Sequence, residues 1–150
     1  MLVLRSVALL ALFLMGCGSP FKKFVIDPNF KQHIQKWNKI YPKNIANYIS
    51  VEFTDELEAG ELGETAGECF TDSDGPKILI SKKLWDTFDD RLREELIFHE
   101  LGHCVMGLGH NCSRKLGGLP SSIMYPVMFS IPEKDVEYYY EELPESQSNC

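Results

Sequence analysis

The sequence is poor in positive charge and has only one long apolar run. Lys and Arg total 15 against 22 Asp and Glu, a formal charge of −7. That balance excludes the usual basic surface for phosphate, so no nucleic-acid partner is expected. The apolar run, Val7 to Met15, is too short to serve as a permanent membrane-crossing helix. Internal repeats and low-complexity segments are absent as well, which excludes solenoids and linker-like chains. What is present is 150 residues, 44% hydrophobic and 25% charged, which fits one globular domain. There are five cysteines, and an odd count leaves one without an internal partner.

The apolar run belongs to a leader. Residues 1–16 carry one Arg, then the run, then Leu14, Met15, Gly16 and Cys17. Its length is that of a signal-peptide apolar region. Its end resembles a bacterial lipobox, in which the cysteine is lipidated and becomes the new N-terminus. The competing expectation is an ordinary signal peptide, with Cys17 incidental. The lipobox reading gives a signal peptide over 1–16, a lipidated tether over 17–26 and a domain over 27–150. It implies a bacterial cell-envelope protein, held by its lipid at the outer membrane, periplasm or cell surface without spanning the bilayer. Removing sixteen residues from 150 leaves 134. Between Cys17 and the first helix there are too few residues for a pro-segment.

Past the tether, Asp27 and Pro28 form a helix-start signal. Phe30, Ile34, Trp37 and Ile40 recur at helical spacing and predict a helix over 28–39. His33 is placed on its polar side, with no role. Strands are expected over 48–53, 68–71 and 77–81, the last reading KILIS. The acidic, glycine-containing stretch 54–67 reads as a loop or irregular hairpin, and 72–76 as a turn. The strongest helix spans about 89–106. Leu92, Leu96, His99, His103 and Met106 form one stripe on it, and Ile97, Leu101, Cys104, Val105 and Leu108 a second. Two apolar stripes mean burial on most sides. Gly107 and Gly109 end the helix. Residues 111–122 read as loop and 133–143 as a final short helix.

Three of the four histidines fall between residues 99 and 110, in the order His99, Glu100, Leu101, Gly102, His103, then Gly107, Leu108, Gly109, His110. Side chains four apart on a helix lie one above the other, about 6 Å along the axis, so two imidazoles can face one ion. Zinc accepts such nitrogens. Glu100, beside His99, suits a general base acting on the ion's water. Gly107 turns the chain so that His110 can return as a third ligand. Three ligands leave the fourth position open, which is the catalytic arrangement.

A second element follows: Ile123, Met124, Tyr125, Pro126. Over about residues 91–129 the chain resembles the matrixin-like branch of the metzincin zinc metallopeptidases, whose zinc helix carries HExxHxxGxxH and whose later turn sets a methionine beneath the metal. The resemblance implies a small α+β metallopeptidase domain with a short mixed sheet, an N-terminal helix and a central zinc-binding helix. It implies His99, His103 and His110 as Zn2+ ligands, Glu100 as catalytic base and Met124 as the turn methionine. Residues 125–129, with Tyr125 and Pro126 at their head, would border the substrate pocket. This chain departs from the pattern: three residues, not two, separate His103 from Gly107. One extra residue rotates a helix exit by about 100°. If His110 then misses the metal, Glu133, Asp135 or Glu137 could be the third ligand.

Cys104 lies on the stripe opposite the histidines, where a core thiol or a disulfide to a strand cysteine such as Cys69 would fit. Cys112 paired with Cys150 would pin that end of the chain against the site. If Cys17 carries a lipid, the remaining four cysteines allow three pairings, and the sequence does not choose among them. The expected activity is zinc-dependent endopeptidase cleavage by a monomer, with a protein or peptide substrate extended along the 68–71 or 77–81 strand. The rival expectation is a non-catalytic zinc-binding or interaction lipoprotein.

Overall fold

A computed structural model describes residues 24–60 and 63–150. The leader, Cys17 and most of the tether lie outside the described residues. No described helix is long and apolar enough to cross a membrane. The fold is α+β, with a short mixed three-stranded sheet. The chain joins the sheet at Ile26, which bridges Val51 in parallel. Asp27 then caps a 3-10 turn over Pro28–Phe30, and helix α1 follows over Lys31–Ile40.

Strand β1 is Ser50–Thr54, β2 is Gly67–Asp72 and β3 is Gly75–Ser81. Their order is β1-β3-β2, with β1 parallel and β2 antiparallel to β3. β3 is therefore central, with both of its edges paired. This corrects the expectation that its edge could receive a substrate, because no backbone groups remain free there. β1 and β2 are the edge strands, and Ile26 bridges to β1 at Val51. A short helix not foreseen from sequence, α2 (Lys82–Trp85), follows β3 directly, and Ser81 caps it. Its single turn is too short to show helical periodicity.

Helix α3, Asp90–Met106, starts where the Asp89 side chain accepts the Leu92 N–H at 2.9 Å. Every residue from Glu95 to Gly102 is buried. One face packs on β2 and β3, another on α1. The aromatic core lies between these layers. Phe98 stacks on Tyr140 at 4.4 Å and meets Trp37 at 5.2 Å, while Phe30 meets Phe53 at 4.5 Å. His33 joins this core, 3% exposed and edge-on to Trp85 at 5.8 Å, and so is not on a polar face. Past α3 the chain runs mostly without regular structure until α4, Val136–Glu142, whose Tyr139 and Tyr140 are buried.

The four described cysteines pair as Cys69–Cys104 and Cys112–Cys150, both among the pairings the sequence suggests. The first ties edge strand β2 to α3.

Glu95 is an ionisable group within the core. It is 2% exposed; its Oε1 accepts the Ile131 N–H at 3.0 Å and its Oε2 has no partner. Burial raises its pKa from 4.5 to about 7. As pH climbs through that window the unfolded chain gives up this proton while the folded chain keeps it, so the folded state loses stability. Glu95→Gln keeps the acceptor and cannot ionise. It should stabilise the protein by about 1–3 kcal/mol at pH 8 and much less at pH 5. Urea melts of both proteins at the two pH values check this.

Candidate metal centre

The end of α3 shapes the site. Gly107 takes the left-handed conformation, φ 69°, and stops the helix. A usual glycine-ended turn brings a backbone N–H back to the carbonyl five residues earlier. Here Leu108 N–H reaches back six, to Gly102 O at 3.1 Å. The turn is thus one residue wider than the usual one. The chain then doubles back, and His110 faces His103 with their Nε2 atoms 3.3 Å apart.

Backbone carbonyls orient two of the three rings. His99 Nδ1 donates to Ile123 O at 2.8 Å, and His103 Nδ1 to Leu108 O at 2.6 Å. A carbonyl only accepts, so the proton of each neutral ring sits on Nδ1 and Nε2 is left with a bare lone pair. The two bare Nε2 atoms lie 3.1 Å apart. One ligand atom from each of His99, His103 and His110 falls within 4.8 Å of the others. Burial lowers the pKa of all three rings, that of His99 to about 3, so near neutrality they offer lone pairs and not protons. Nitrogens about 2.0–2.1 Å from a tetrahedral ion stand about 3.3–3.4 Å from one another. The observed 3.1 and 3.3 Å match that spacing, so the three histidines could hold a metal ion. Among the described residues Glu133, Asp135 and Glu137 do not belong to this group.

Met124 is fully buried. A Cβ at Gly102 would overlap its Sδ, so only glycine fits between His99 and His103 on α3. Glu100 is 4% exposed, and its carboxylate packs on β2, where a Cβ at Gly67 would lie 2.8 Å from Oε1. Burial first, and the charge of Glu68 second, raise the Glu100 pKa to about 8.

His99, Glu100, His103 and His110 all line a cleft of about 830 Å³. One wall is β2 with the 63–66 segment before it; the other is residues 125–128, including Tyr125 and Pro126. Leu84, Phe88, Leu96 and Met128 give the cleft an apolar part. Arg114 donates to the Tyr125 hydroxyl and sits over its ring at 4.7 Å. Sequence reasoning passed over Gly67 and Gly102. A glycine inside a strand already signals close backbone approach, but what approaches it is set by the packing of α3.

No family model, curated protein or solved structure matches the chain.

If the three nitrogens form one site, metal at about 100 times its Kd should stabilise the fold by about 2.7 kcal/mol. His103→Ala should abolish that gain. Thermal melts with and without metal, alongside elemental analysis of the purified chain, read both.

Proposed function

We propose that the protein is a zinc-dependent endopeptidase of metzincin-like, matrixin-like type, anchored at the bacterial envelope through a lipid on Cys17. The observation that carries this reading is the group of three imidazoles whose ligand atoms lie within 4.8 Å of one another, two of the pairs at tetrahedral ligand spacing, opening into a cleft that a buried carboxylate also lines. Three neutral imidazoles with a fourth position open suit catalytic zinc. Bound there, zinc would supply a water acidified towards a pKa of about 7 and a Lewis acid for the scissile carbonyl oxygen.

The chain's own groups would do the rest. The free edge of β2 offers unpaired backbone groups, so an extended peptide can add to the sheet as a further strand. Residues 125–128 face it across the cleft and confine the peptide to one line. The apolar part formed by Leu84, Phe88, Leu96 and Met128 favours a large apolar side chain near the cleaved bond. Glu100 takes a proton from the attacking water and passes it to the leaving nitrogen. Its burial gives it a high proton affinity, which suits a group that must hold a proton in transit, and a neighbouring cation would draw that affinity down to a working value. Gly67 lets the carboxylate lie flat against β2, beside the strand that would align the substrate.

Glu100→Gln should keep one equivalent of zinc and lower the rate of casein or peptide-library cleavage by about 10²–10⁴-fold. Retained proteolysis in that variant would sink the mechanism. Bound zinc with no cleavage of any peptide by the wild-type chain would favour the non-catalytic zinc-binding lipoprotein instead.

Gly67→Ala tests the carboxylate's seat separately. It should leave zinc content unchanged and depress cleavage, because the added methyl group takes the space of Glu100 Oε1. Elemental analysis and cleavage assays on the same preparation decide it.

A further inference from the structure

The three histidines are held in different ways. His99 and His103 stand on a buried helix, and backbone carbonyls fix their rings through Nδ1. His110 is exposed, follows two glycines, and makes no hydrogen bond through Nδ1 among the described residues. Loop backbone of that kind wanders unless something holds it. Residues 146–150 hold it. Ser148 Oγ accepts the Gly109 N–H at 2.8 Å. Asn149 N–H donates to His110 O at 3.1 Å. The Asn149 side chain accepts the Cys112 N–H at 2.6 Å and donates to Asn111 Oδ1 at 3.1 Å and Ser113 Oγ at 2.5 Å. The Cys112–Cys150 disulfide closes the far end. At the near end Ser146 Oγ meets Ser122 Oγ at 2.9 Å and accepts from Asn111 Nδ2 at 3.2 Å. Each of residues 109–113 is thus bonded to this strap, and through Ser122 the strap also touches the turn that carries Met124.

We propose that the 146–150 strap is the positioning element of the third metal ligand: it holds the His110 loop so that Nε2 meets those of His99 and His103. This rests on the metal-centre reading above. Its reach is specific, since it contacts neither α3 nor the other two imidazoles through any bond described. The widened turn at Gly107 gives the loop the length to reach back, and the strap removes the freedom that comes with that length.

The test is zinc affinity by competition with a chromophoric chelator, measured for the full chain, for Ser148→Ala/Asn149→Ala, and for each in a His110→Ala background. With His110 present the strap variant should bind zinc about 10–100-fold more weakly, as for other groups that orient a ligand. In the His110→Ala background it should cause no further loss. The cobalt-substituted strap variant should also lose visible d–d absorption intensity, as a site does when it leaves tetrahedral geometry. Asn149→Ala alone, which keeps the Ser148 and backbone bonds, should show a smaller loss of the same kind and guards against unfolding of the double variant. Unchanged affinity, or an equal loss with and without His110, overturns the strap's role while leaving the metal centre standing. Failure of the wild-type chain to take up zinc overturns both.

Discussion

The imidazoles of His99 and His103 face each other with bare Nε2 atoms 3.1 Å apart. Two lone pairs brought that close to each other suit a cation between them. The rest of the structure is arranged so that the rings cannot turn away. Ile123 O and Leu108 O hold them from behind. Met124 fills the space against Gly102, which leaves the backbone of α3 no room to shift toward the turn. Holding three rings together in this way costs conformational entropy, and a chain this size has few ways to offset it.

Disulfides are one way. Cys69–Cys104 and Cys112–Cys150 close segments separated by 35 and 38 residues, each worth roughly 3–4 kcal/mol in chain-entropy accounting. Their placement matters as much as their size. One joins the helix, at the residue after His103, to edge strand β2. The other joins the loop after His110 to the strap. Both bonds act on elements adjacent to one of the three histidines, so the covalent restraint is concentrated around the histidine group and not spread over the core.

Much of this was legible in the sequence because it depends on spacing along one helix. The His99–Glu100–His103 pattern needs only the 3.6-residue period to become a site, and the doubled apolar stripes announce that α3 is central. Legibility fails where contact depends on packing between elements. KILIS reads as a buried strand either at the middle of the sheet or near its edge, and only the pairing of β1 and β2 on both sides places β3 at the centre. His33 looks solvent-facing from its neighbours in α1, yet Trp85 from another element covers it. The cysteine pairing needed distances between strand, helix and loop that no local rule supplies. The extra residue before Gly107 could have been read either way, because a helix exit is set by which carbonyl its last N–H groups reach, and that is Gly102 O.

The same connections join the cleft to the histidines. Its β2 wall is bonded to α3 through Cys69–Cys104, and its opposite wall follows directly from the turn whose Ile123 carbonyl orients His99. Neither wall can move far without disturbing a ligand-bearing segment. A peptide added to the β2 edge would therefore meet the histidines at a height fixed by the sheet register, with Glu100 lying between strand and helix. Positioning of this kind is where rigid scaffolds gain most over free solution, since a fixed approach replaces the search for orientation. In a domain this small, the sheet edge that would align a substrate and the helix that would hold a metal are braced by one set of bonds, so whatever loosens the first must also loosen the second.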